Sequence, residues 1–186
     1  MLRYYKKTWR KNKLIKKKIF LTVAIDSPAA AGAGTQSKLI AKHYNLFYVD
    51  TGKIYRYIGF LRLKSKKKFS LKFIKKKIKT LKVKSLSNKN LLSEDVAISA
   101  AIIAKNKRIR DIVHVFQQKC AYEPPKRYSG SILDGRDITS VQLKDAMFKF
   151  FITASLKVRA KRRFKEYKNL KKQISLNEVI KSIKKR

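Results

Sequence analysis

The chain has a single cysteine, Cys120, in 186 residues. An internal disulfide is therefore excluded, and the usage fits a reducing compartment, the cytoplasm. Histidine is nearly as scarce. His43 and His114 stand far apart, read as helix-surface residues, and leave no Cys/His cluster with zinc-ligand spacing. A membrane-spanning run is missing too: Ile19 to Ile25 is apolar but only as long as a strand. It also fails as a secretory signal, because Asp26 and Pro28 interrupt it and the basic stretch Arg3 to Lys18 is long for a signal n-region. No internal repeat is visible.

Acid is the scarce charge. Eleven acidic residues face 49 basic ones, a formal net charge of +38. Most of the lysines read as a coding bias that loads every solvated face, yet a field this positive still attracts nucleotides and, without sequence specificity, RNA or other polyanions. With so few acids each is informative, and Asp26, Asp50, Asp134 and Asp137 all fall at expected strand ends. Residues 1–18 read as a basic arm, with Tyr4, Tyr5 and Trp9 among its lysines and arginines.

What is present is organised around Ile19 to Tyr44. An apolar strand breaks at Asp26, passes through small residues and enters an amphipathic helix from about Thr35 to Tyr44, with Leu39, Ile40 and His43 on one face. A strand, a small-residue loop and a helix N-terminus make a phosphate cradle, since backbone N–H groups are reachable only where no side chain intervenes. Against the pattern G-x-x-x-x-G-K-[ST], the chain keeps Gly32, Gly34 and the hydroxyl of Thr35 but carries Ala33 at the lysine position, and Ser27 or Ala30 replaces the first glycine.

Further along, Leu46–Asp50 reads as a strand followed by a helix to about Leu63. Lys64 to Lys84 has eleven lysines, no acid, and Leu71, Ile74, Ile78 and Leu81 at helical period, which predicts one basic amphipathic helix. Two helices follow, one from Ser93 to Ala104 and one carrying Arg108, Arg110, Val113 and Phe116. Ser131–Asp134 and Met147–Ile152 are strands. A helix starting after Ser155 places Arg159, Arg162 and Arg163 on one side, and a last short helix holds Leu176, Val179, Ile180 and Ile183. Strand–helix alternation with short loops implies a parallel α/β sheet, and ligands of such sheets gather beyond the carboxyl ends of the strands. A phosphate loop with several arginines on a lysine-poor rim points to phosphoryl transfer between two phosphate-bearing ligands.

The motif order DSPAAAGAGT, DTGKIYR, NKRIRD, ILDGRD and FFITASLKVRAKRR resembles bacterial cytidylate kinase, the CMP/dCMP kinase among nucleoside monophosphate kinases, from about Phe20 to about Leu176. Adenylate kinases share a similar loop but would carry a proline-bearing D-G-F-P-R where this chain has Asp134-Gly135-Arg136-Asp137. The resemblance implies a three-layer P-loop kinase core with a parallel sheet of about four strands over 19–186. It also implies a small substrate-binding insert over about 64–125, shortened to little more than Leu81 to Asp95, and a partial lid over about 159–186. It implies an ATP-dependent phosphotransferase acting on CMP or dCMP with Mg²⁺, acting as a monomer.

By the same resemblance, Ser27, Pro28, Ala29, Ala30, Ala31, Gly32, Ala33, Gly34 and Thr35 hold the ATP phosphates, with Thr35 on Mg²⁺. Thr51, Tyr55, Arg56, Arg110, Arg136 and Asp137 hold the monophosphate, Arg56 and Arg110 taking its phosphate and Arg136 with Asp137 reading the base edge. Arg159 and Arg163 begin the lid, and with Arg56 and Arg110 they form the catalytic arginine set. The chain departs from the family pattern at Ala33, for which Lys38 or Lys53 are candidate substitutes, and at Ala101, where a serine is expected. It also ends at Arg186, before the rest of the lid and a fifth strand that would cover one sheet edge. Two other readings fit the same residues: a degenerate non-catalytic binder of nucleotide or RNA, and a kinase for another monophosphate such as AMP or UMP.

Overall fold

β1 (Leu21–Asp26) sends alternate side chains to opposite faces, and this alternation sets the layers. Val23 and Ile25 pack with Ala33 and Ala41 of α1 (Ala33–His43), while Ala24 joins the core on the other face. The computed structural model describes residues 20–65, 69–169 and 173–184, so the expected arm over 1–18 lies outside the described residues. β2 (Leu46–Asp50), β3 (Gly130–Gly135) and β4 (Phe148–Phe151) complete a sheet of order β2-β3-β1-β4, parallel throughout. The expected four-stranded parallel α/β sheet is therefore present. The order puts β1 and β3 side by side at the centre, so Asp26 and Gly135 are register partners and their following loops emerge together.

The second face is covered by α2 (Thr51–Lys64), α3 (Leu71–Lys79), α4 (Glu94–Ala104) and α5 (Lys107–Tyr122). Ile54, Ile58, Ile74, Ile78, Ile103 and Val113 from these helices meet Ala24, Val49 and Leu133 in one core. Each fully buried isoleucine or leucine here contributes roughly 1.5–3 kcal/mol. α6 (Leu156–Asn169) and α7 (Leu176–Lys184) pack on one another through Ala160, Val179 and Ile183.

Helix starts follow local chemistry. Asp50, Ser70, Ser93 and Asn106 each accept a backbone N–H from the first turn of α2, α3, α4 and α5. α1 differs: its N-cap is Gly32 in the left-handed region, with no side chain to bond the first N–H groups.

Two sequence expectations change. The lysine-rich stretch is not one helix over 64–84. Ser70 starts α3, and Thr80 ends it by donating its hydroxyl back to the carbonyls of Lys76 and Lys77. Leu81 packs beyond the helix, and two 3-10 turns, Val83–Ser87 and Lys89–Leu92, bury Leu86 and Leu91. On α1 the buried stripe is Ala33, Ser37 and Ala41, with Ile40 half-buried, whereas Leu39 is 58% exposed. Small side chains let the helix approach the sheet, and periodicity weighted by large apolar residues misses such a face. β4 pairs with β1 alone among the described residues, and Phe148, Phe150 and Phe151 stand exposed.

Candidate functional site

The loop after β1 curls through two left-handed residues, Ala30 at φ 62° and Gly32 at φ 101°. For alanine that conformation costs about 1–2 kcal/mol, strain tolerated where the chain must wrap around something. The loop is anchored at its start by the Ser27 N–H, which donates to the Gly135 carbonyl at 3.1 Å. The curl leads into the uncapped start of α1, where no side chain bonds the first N–H groups, the arrangement that accepts an anion.

Asp26 does not face that space as a reactive carboxylate. Buried at 8% exposure, it accepts from the Ile138 N–H at 2.6 Å, from the Thr139 N–H at 3.1 Å and from the Thr139 hydroxyl. It thereby clasps the turn that follows Arg136 and Asp137 and holds that turn beside the phosphate loop. Asp26→Asn places an amide NH₂ against donors and is expected to cost about 2–4 kcal/mol by chemical denaturation, since charge-assisted bonds to a buried carboxylate are lost. A loss under 0.5 kcal/mol would show that the clasp is dispensable.

Thr51 opens α2 and donates its hydroxyl to the Asp134 carbonyl at 2.8 Å. A Cβ at Gly135 would lie 2.1 Å from that hydroxyl oxygen, so glycine alone lets β2 and β3 end this close together. These contacts bring the ends of β1, β2 and β3 around a cavity of about 720 Å³. Its walls contain every residue of Ser27–Thr35, together with Thr51, Tyr55, Arg56, Arg110, Arg136, Asp137 and Arg163. Tyr55 is under opposing influences: burial raises its phenol, the Arg110 guanidinium pulls it back, and Asp137 pushes it up. Arg56 donates to the Leu91 carbonyl at 2.9 Å, and Arg110 to the carbonyls of Ala104 and Lys105 at 3.0 and 3.1 Å, near the end of α4.

The remaining expected residues lie around the main cavity and two cavities that adjoin it. Arg159 lines a neighbouring cavity of about 450 Å³ that shares Ser27, Pro28, Ala29, Arg136 and Asp137 with the first, and its Nε is buried without a partner. Arg163 faces the main cavity but pairs with Glu166 at 2.8 Å; burial opposes its charge, and Glu166 and Tyr167 outweigh that. Ala101 faces a third cleft of about 620 Å³ between α4 and α6, joined to the main cavity through Arg56, Arg163 and Glu166. The rim is less lysine-poor than expected, because Lys38 and Lys53 both line it. Lys53 lies 3.9 Å from Asp50, and Lys38 acts electrostatically on Asp134.

The sequence expectations assign no separate role to Gln117, Arg162 or Asp134; the structure puts Gln117 and Asp134 in the cavity wall and Arg162 against the loop. Gln117 lies two turns beyond Arg110 on α5, 1% exposed, with an unpartnered Oε1. Its signal was a polar side chain on an otherwise apolar helical stripe. Arg162 donates to the Ala31 carbonyl at 2.6 Å, a contact across 131 residues that no local pattern reveals. Asp134, which sequence reading places at a strand end within the D-G-R-D motif, is buried at 6% exposure, and both its oxygens lie 3.3 Å from the Tyr48 hydroxyl.

Burial first, and then the Asp50 carboxylate, push the Asp134 carboxyl up to about 7, against the opposing pull of Tyr48 and Lys38. Its folded-state value therefore lies above its unfolded one. The associated stability is complete below about pH 4, is lost as pH rises towards 7, and stays lost above it. The ceiling on this loss is roughly 4 kcal/mol. Denaturant unfolding between pH 4.5 and 8 is expected to show Asp134→Asn gaining on the unsubstituted chain as pH rises, with a plateau above about 7. A difference that does not vary with pH rejects this account.

No group of three or more His, Cys, Asp or Glu side chains suited to a metal occurs among the described residues. The donors around the loop are hard oxygens, the exposed Thr35 hydroxyl and the carboxylates of Asp134 and Asp50, which repel one another. That set fits Mg²⁺, which keeps most of its waters and arrives with substrate phosphates. It does not fit zinc.

The family model described as cytidylate kinase matches residues 23–186 of this chain. A cytidylate kinase of Clostridium botulinum (strain Loch Maree / Type A3) is 37% identical over 178 residues, covering 89% of this chain and 79% of that protein. One from Azorhizobium caulinodans is 37% identical over 166 residues, and one from Fusobacterium nucleatum 36% over 178, each with the same shares covered. No helix among the described residues is long and apolar enough to cross a membrane.

Proposed function

Since the chain belongs to the cytidylate kinase family, we propose that the cavity above β1 and β3 transfers the terminal phosphoryl group of ATP to CMP or dCMP, using the residues that line it. The observation that carries this reading is the meeting of the Ser27–Thr35 loop with Arg56, Arg110 and Arg136 around one cavity. Backbone donors and an anion-accepting helix start belong at the ATP side; the guanidinium groups belong at the acceptor side.

In this reading Arg56 and Arg110 bind the acceptor phosphate, and Arg136 and Asp137 bind the base. An oxygen of the acceptor phosphate then forms a bond to the γ-phosphorus as the bond to the β–γ bridging oxygen breaks. The electron pair leaves with ADP, and the charge on the three equatorial oxygens is met by fixed cations. Such catalysis is positioning and electrostatics, so the protein's task is to hold both ligands in line and exclude water. Thr35 would hold Mg²⁺ brought with ATP, whose chemistry is neutralisation of phosphate charge. Arg159 and Arg163 of α6 would border the donor as ligands enter. The net charge of +38 would also favour salt-dependent, nonspecific contact with RNA, a property separate from turnover.

A coupled assay with CMP, dCMP, UMP and AMP tests the reading. Turnover of CMP or dCMP at least tenfold above AMP is expected. Equal use of AMP points to a kinase for another monophosphate. CMP binding by calorimetry with no turnover points to the non-catalytic binder that Ala33 motivates.

A further inference from the structure

The phosphate loop has no lysine of its own. Ala33 occupies that position, 5% exposed, and packs with Val23, Ile25 and Ile132 beneath the loop. Two lysines near the cavity stand beside carboxylates, Lys53 at Asp50 and Lys38 towards Asp134, on the side of β2 and β3. Of the three arginines on one side of α6, Arg163 is paired with Glu166 and Arg159 faces the neighbouring cavity. Arg162 is the one bonded to the loop itself, with Nη1 donating to the Ala31 carbonyl at 2.6 Å. The same Nη1 lies 2.9 Å from where a Cβ at Gly32 would be, so the guanidinium rests against the left-handed turn itself.

We propose that Arg162 supplies, from α6, the cation that position 33 lacks, and that its guanidinium meets the β- and γ-phosphates of the donor nucleotide above Gly32. The inference rests on the kinase reading for the identity of the donor. Its structural part is a guanidinium bonded to Ala31 and resting against Gly32, the residue before the missing charge. A guanidinium has five N–H donors, and the contact with Ala31 engages one of them. The planar fork suits two adjacent phosphate oxygens and keeps its charge at any working pH. α6 stays attached to the loop through Ala31, so this charge is placed before nucleotide arrives, as preorganised electrostatics requires. It is a long-range replacement, in which a residue 129 positions along the chain takes over the task of a local one.

The test uses the full chain and two readouts: ATP binding by calorimetry and phosphorylation of CMP. Arg162→Ala is expected to weaken ATP binding at least tenfold and lower kcat about 100-fold, with CMP affinity unchanged and melting temperature lowered only by the loss of the single Ala31 bond. Arg162→Lys, which keeps the charge and loses the fork, is expected to lie between. Adding Ala33→Lys to Arg162→Ala should recover at least tenfold in kcat. ATP affinity and kcat within twofold of the unsubstituted chain overturn the inference. So does tighter ATP binding in Arg162→Ala, the result expected of a plug. A loss of CMP affinity equal to the loss of ATP affinity also overturns it, since it marks a structural role. Recovery below twofold in a double variant that melts with Arg162→Ala does the same; if the double variant melts lower than Arg162→Ala, the Arg162→Ala and Arg162→Lys binding series decides. If the unsubstituted chain binds ATP without turnover, the kinase reading fails by itself, and the ATP affinities alone still decide for or against Arg162.

Discussion

Arg56→Ala is expected to lower kcat/KM for CMP by about 10³-fold while ATP affinity stays within twofold. The side chain lines the main cavity and, through it, the cleft between α4 and α6. Its Nη1 bond to the Leu91 carbonyl fixes the plane of the guanidinium, which loses little further entropy when it grips an anion. Removing one preorganised donor to a charged group typically costs a factor of about 10²–10³, and a bidentate grip on phosphate lies at the upper end of that range. Arg56→Lys should retain the charge and lose the fork, giving a loss of roughly 30-fold, intermediate between the two. Steady-state kinetics with CMP varied at saturating ATP, together with ATP calorimetry, separate the two ligands. A loss below threefold in Arg56→Ala would remove this residue from the acceptor site. The orphaned Leu91 carbonyl should cost about 1 kcal/mol of stability, too little to explain a kinetic loss of that size.

Asp137→Asn should collapse discrimination between CMP and UMP by about 100-fold. Cytosine presents an exocyclic amino group where uracil presents a carbonyl oxygen, so a carboxylate accepts from the first and repels the second. A site built on such a group rejects the mismatched base strongly because its own polar atoms are left unpaired. Asparagine can turn its amide to donate to the uracil oxygen. The substitution tests chemistry rather than backbone strain: Asp137 sits at φ 56° and ψ 24°, a left-handed conformation that asparagine adopts as readily. The measurement is the ratio of kcat/KM for CMP to that for UMP in both proteins. A ratio unchanged within threefold, with melting temperature intact, would assign base reading elsewhere, with Gln117 the first alternative because of its buried, unpartnered Oε1.

Which arginine matters at the donor side shows how tertiary structure divides residues that look equivalent in one dimension. Arg159, Arg162 and Arg163 share one side of α6, and helical spacing alone cannot rank them. The packing of α6 against the loop ranks them: Arg162 reaches Ala31, Arg163 turns to Glu166, and Arg159 faces a separate cavity. Asp26, Asp50 and Asp134 likewise all read as strand-end acids, yet one is a clasp for backbone, one a helix cap and one a buried carboxyl.

By itself the amino-acid sequence determined the strands, most helix starts and the order of the motifs. These depend on short-range physics: alternation across a pleat, a Ser, Asp or Asn at a helix start, and small residues where backbone must be reached. Even there, helical periodicity carries one helix through the lysine-rich stretch after Lys64, whereas its end depends on the Thr80 back-bonds and on where Leu81 packs. Only the tertiary structure decided that β1 lies between β3 and β4, that Asp134 is buried beside Asp50, and that a guanidinium from α6 reaches the Ala31 carbonyl. Each of these is a contact between segments far apart in the chain, and its energy depends on distance and burial, quantities that exist only once the layers have closed.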